Sequence, residues 1–125
     1  RLPMPALLEP AIGYARDGFP VAQVAAHLWA DNASRIDCAE PGFAGFGDTF
    51  LPAGRAPRAG ERFRNAAMAE SLHAIATGGL DAFYRGAIGS RIVATLQHGG
   101  SAMQATDLAT HRGDWVEPLS VRTIK

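Results

Sequence analysis

Cysteine is almost missing from this 125-residue chain, and the single Cys38 excludes an internal disulfide framework. Neither sign of charge dominates: 12 basic and 12 acidic side chains cancel. An electrostatic grip on nucleic acid needs a basic excess, so that class is set aside. Long apolar runs are lacking as well. The longest stretch without formal charge, Ile92 to Thr106, contains Gln97, His98 and a glycine pair, so no membrane span is expected. Arg1 is not followed by the basic-then-apolar pattern of a signal peptide. At the other end, Val121 to Lys125 neither caps a helix nor closes a hairpin, and the chain reads as an excerpt from a longer one.

What is present is apolar residue in quantity, 47% of the chain against 19% charged, which excludes a disordered polymer. A chain of this length buries roughly two thirds of its unfolded surface on folding. The 14 glycines and 8 prolines exceed their usual share and are clustered, cutting the sequence into helical pieces and one long loop. Leu7, Leu8, Ala11, Ile12 and Ala15 form one apolar helix face with Arg16 near its end and Gly18 as the stop. Pro10 falls inside that pattern, which predicts either a helix beginning near Glu9 or two short turns meeting there. Pro20 is expected to start a second element with Val21, Val24, Ala25, Leu28 and Trp29 on one side, and Gln23, His27 and Asp31 off it.

Residues 37–62 carry too many glycines and prolines for a helix or a central strand and read as one long loop. Phe43, Phe46, Phe50 and Leu51 within it imply a loop laid over apolar neighbours rather than one gripping a ligand. A third helix is predicted from an Asn65 cap, with Met68, Leu72, Ile75 and Ala76 as its buried stripe and Gly78-Gly79 as its end. Asp81 is expected to cap a short turn carrying Phe83 and Tyr84. Ile88, Ile92, Val93 and Leu96 make a fourth helix ended by Gly99-Gly100, and Asp107-Leu108 a short one before His111. Trp115, Val116, Leu119, Val121 and Ile124 lean towards strand, limited by Pro118 to an edge or a start.

Elimination leaves no site. His27, His73, His98 and His111 have no zinc-ligand spacing and read as ordinary surface or core residues. No G-x-S-x-G elbow or dinucleotide loop occurs. Asp107 and His111, four apart, are expected to form a surface ion pair rather than an acid–base pair. Cys38 has no basic partner nearby in sequence and is not proposed as a nucleophile. The four arginines between Arg55 and Arg64 read as a solvated loop, and Met68 and Met103 as packing.

One ordered series of strings stands apart. Glu9-Pro10-Ala11-Ile12, then Ala15 and Gly18-Phe19-Pro20-Val21, resemble the large subunit of γ-glutamyltranspeptidases. Phe63-Arg64-Asn65, Gly78-Gly79, Asp81-Ala82-Phe83-Tyr84-Arg85-Gly86, Asp107-Leu108-Ala109 and Trp115-Val116-Glu117-Pro118-Leu119-Ser120 continue the likeness to Ser120. The resemblance implies a mainly α chain: a helical segment, residues 1–125, of the large subunit of an αββα N-terminal-nucleophile hydrolase with a short strand-like C-terminal end. It also implies a self-cleaving precursor whose new N-terminal threonine attacks a γ-glutamyl amide, its own α-amine serving as base. The acyl group then passes to water or to an amino acid, without metal or organic cofactor.

The threonines here, Thr49, Thr77, Thr95, Thr106, Thr110 and Thr123, are internal and lack the family's T-T-H-x-S context. The family's carboxylate-binding arginine lies upstream of the matched segment, and Arg64 reads as structural. No catalytic, substrate-binding or metal-binding residue is therefore carried over, and the chain alone is expected to be inactive. Its expected partners are the remainder of the large subunit and the small subunit, with Phe43, Phe46, Phe50, Trp115 and Val116 as the candidate apolar face. That face could also support a homo-oligomer. Two rivals stand: a related acylase or amidohydrolase with the same nucleophile, and a stand-alone helical interaction module. Ala66 in place of a frequent proline, Gln104 in place of Thr or Ser, a longer Gly42–Leu51 loop, and the end after Ser120 depart from the family pattern.

Overall fold

A computed structural model describes residues 2–40 and 42–121. The first helix, α1 (Met4–Asp17), leads through Gly18 into a two-residue strand, β1 (Phe19–Pro20), and then α2 (Gln23–Ala33). A short helix α3 (Ala44–Phe50) precedes the second strand, β2 (Arg62–Phe63). The chain closes with α4 (Ala66–Tyr84), α5 (Ala87–His98) and α6 (Ala105–Ala109).

Pro10 sits inside α1 without dividing it, against the expected break. It removes one backbone donor, but Pro10 is exposed there and α1 is held along its length by α4. The two helices run antiparallel. The Asn65 N–H donates to the Ala15 carbonyl at 2.8 Å at one end, while Pro5 and Ala6 share a groove with Ala76 and Thr77 at the other. Alanines 15, 69 and 76 are the buried residues of this pair, and their small side chains let the helices approach closely. The buried stripe of α4 keeps Ala76, with Leu72 and Ile75 half-buried, but Ala69 takes the place expected for Met68, which is exposed.

Asn65 caps α4 as predicted, its Oδ1 accepting from the Met68 N–H at 2.9 Å. Gly79 breaks the helix with φ 66° and ψ −158°, a conformation that side chains exclude, after which Leu80–Tyr84 resume helical geometry. Asp81 does not cap that last piece; its carboxylate pairs with Arg85 one turn on.

The β strands join antiparallel, Phe19 opposite Phe63 and Pro20 opposite Arg62. Pro20 thus belongs to β1, and α2 begins three residues later than the sequence suggested. Above the ribbon lies the aromatic core: Val21, Ala26 and Phe63 are buried, with Phe19, Trp29 and Phe50 packed around them. Trp29 and Phe63 meet edge-on at 4.7 Å between centroids, and Phe50 stacks on Phe63 at 6.5 Å. Burying one such phenyl stabilises by about 2–3 kcal/mol.

Two further expectations are corrected. The 37–62 stretch is not wholly irregular, because α3 forms across Gly45 and Gly47 once Phe46 and Phe50, four apart, share an apolar face towards α2. The strand-leaning run after His111 carries neither helix nor strand as far as Val121, with Trp115 and Leu119 fully exposed. A strand needs a paired neighbour, and none of the described residues supplies one there. Ile124 lies outside the described residues. The start of α6 is held despite Gln104, whose N–H donates to Asp107 Oδ2 at 2.7 Å. No helix among the described residues is long and apolar enough to cross a membrane.

Candidate functional site

The strings Gly18-Phe19-Pro20-Val21 and Phe63-Arg64-Asn65, more than forty residues apart in sequence, meet at one junction. Gly18 adopts φ 84° and ψ 163°, turning the chain sharply out of α1. The open carbonyl of Asp17 at that helix end accepts from Arg64 Nε at 3.1 Å and Arg62 Nη1 at 3.2 Å. Two guanidiniums thus complement the negative end of the α1 dipole. The ribbon is extended by Val21, whose N–H donates to the Glu61 carbonyl at 2.9 Å and whose own carbonyl accepts from Gly60 at 2.8 Å.

Two carboxylates here titrate low. Asp17 is shifted down chiefly by its hydrogen bonds from the Arg16 guanidinium, both side chains being exposed. Glu61 is held at about 2, first by the Arg55 guanidinium, which it meets through both oxygens at 2.9 Å, and then by the Arg58 N–H at 2.8 Å. Arg55 and Glu61 thus form a doubly bonded pair that pins the loop, while all four arginines of the basic stretch stay exposed, as a solvated loop has them.

A second cluster joins the end of α4 to α6. Arg85 pairs with Asp81 and donates to the Ala109 carbonyl at 3.0 Å, and Arg112 reaches the same carbonyl at 3.3 Å. Tyr84 and His111 stack with centroids 5.1 Å apart. Beside them lies an open cleft of about 470 Å³. The expected Asp107–His111 ion pair is absent among the described residues: Asp107 turns back to the start of its own helix, and His111 lies on Tyr84. A local backbone donor competes successfully for an exposed carboxylate.

Neither cluster contains the parts of a nucleophilic centre. The hydroxyls of Ser71, Thr77, Ser90 and Thr110 each donate to a carbonyl one turn back in their own helix. Among the described residues no hydroxyl or thiol is hydrogen-bonded to a histidine or carboxylate, and no group of metal-ligating side chains converges. Cys38 is half-buried against Gly47. Histidines 27, 73, 98 and 111 are all exposed.

The candidate apolar face is split. Phe46 and Phe50 are half-buried and turned onto one another, and Phe50 reaches Trp29 and Phe63; Phe43 remains exposed. Trp115 and Val116 stand exposed in the irregular C-terminal run. Val24 and Leu28, assigned by sequence to the apolar side of α2, are also outward, 71% and 54% exposed. Ala26 takes the buried position instead. The signal that α2 turns its smaller residue inward was the pairing of Phe63 with Trp29, which no local spacing reveals.

The family model for gamma-glutamyltranspeptidase matches residues 1–124. The chain belongs to the gamma-glutamyltranspeptidase family. Among its relatives in that family, the oxamate amidohydrolase proenzyme of Klebsiella pneumoniae is 40% identical over 121 residues, covering 97% of this chain and 22% of that protein. The glutathione hydrolase-like YwrD proenzyme of Bacillus subtilis is 41% identical over 120 residues, covering 96% of this chain and 22% of that protein. The crystal structure of cephalosporin acylase from Bacillus halodurans superposes with a TM-score of 0.91 at 38% identity, covering 98% of this chain and 23% of that one. This member of the gamma-glutamyltranspeptidase family therefore spans about a fifth of the length of the curated relatives it matches. Its helices correspond to the large-subunit region of the family's structures.

Proposed function

We propose that residues 1–125 form one helical scaffold segment in the large subunit of a self-cleaving gamma-glutamyltranspeptidase-like enzyme. The parent enzyme moves γ-glutamyl groups from glutathione-like amides to water or to amino acids. The observation that carries the reading is where the motif arginines go: Arg64 and Arg85, with Arg62 beside them, donate to main-chain carbonyls. A guanidinium that closes a helix end has a structural role, which accounts for these side chains without a substrate. The nucleophile on this reading is the terminal threonine of the small subunit, and the segment's partners are that subunit and the remainder of the large one. The 40% identity to an oxamate amidohydrolase and the close superposition on a cephalosporin acylase favour a second substrate reading, hydrolysis of another amide by the same nucleophile.

Two measurements test the proposal. The purified chain mixed with a γ-glutamyl anilide releases no aniline; turnover would contradict the scaffold role. The same residues grafted into the Bacillus subtilis proenzyme in place of their counterpart leave maturation and hydrolysis intact. A graft that folds and matures but has lost turnover would place chemistry in this segment and overturn the reading.

A further inference from the structure

We draw no further inference here: the strongest candidate, the open cleft between the end of α4 and α6 lined by Tyr84, Arg85, His111 and Arg112, carries nothing, because its charged side chains are exposed, both arginines are already hydrogen-bonded to main-chain carbonyls, and nothing in the structure shows what covers it.

Discussion

Gly18-Phe19-Pro20-Val21 and Trp115-Val116-Glu117-Pro118-Leu119-Ser120 both resemble the family pattern, yet they sit in opposite surroundings. In the first, Val21 is 2% exposed, the backbone is paired with β2, and Gly18 is crowded by three neighbours. In the second, Trp115 is 102% exposed and no strand forms. A family string therefore records a constraint without saying who imposes it. Where the constraint is met inside the chain, the string explains the fold. Where apolar residues are left wet, nothing among the described residues meets the constraint.

The contrast breaks first at Gly18. A Cβ there would lie 2.8 Å from the Phe63 carbonyl oxygen and 2.6 Å from Arg64 Cγ, in a backbone region that only glycine adopts readily. Both the strain and the clash must be relieved by moving β2 off α1. Gly18→Ala should destabilise the chain by about 3–5 kcal/mol in urea unfolding. A loss below about 1 kcal/mol would mean that the junction is not the tight one described.

Two aromatic truncations sharpen the same comparison. Phe63 is buried at the centre of the aromatic cluster, so Phe63→Ala should lower stability by about 3 kcal/mol. Trp115 touches nothing that removes it from water, and Trp115→Ala should change stability by less than about 0.5 kcal/mol. Equal losses from the two would erase the distinction between inward and outward strings.

Legibility in the sequence follows the range of the interaction. Asn65 was readable as a cap because its partner, Met68, lies three residues away, and Gly79 as a break because only its own dihedrals are involved. The exchange of Met68 for Ala69 in the buried stripe of α4 was not readable. Met68 is the more apolar residue, but contact with α1 favours the smaller Ala69, and that contact depends on a helix fifty residues earlier. α3 was hidden because its glycines disfavour helix locally, while Phe46 and Phe50 gain from a Trp29 that no nearby spacing predicts. The site behaved likewise. Arg64 could be taken as structural from its place at a helix start, but its acceptor, the Asp17 carbonyl, required β1 and β2 to be paired first. Family strings supplied the long-range information that periodicity lacks.

Acid separates the two ways in which the 55–65 stretch is attached. Glu61 pins the loop through its carboxylate, whereas Val21 and Gly60 fasten the ribbon through main-chain bonds that carry no titrating group. The Glu61 carboxyl is lowered from 4.5 to about 2 in the folded chain. A depressed folded value means that ionised Glu61 favours the folded form. Its contribution is complete above pH 4.5 and is lost as pH falls through about 2. The groups are exposed, so salt weakens the effect and its influence on global stability is small. The readout is therefore local: on acidification, the Arg58 amide should lose hydrogen-exchange protection near pH 2 while the Val21 amide keeps it. Glu61→Gln should remove the Arg58 protection at neutral pH. A Glu61 carboxyl that titrates at its ordinary value in an NMR pH series would show that Arg55 does not hold it, leaving the loop attached by its backbone alone.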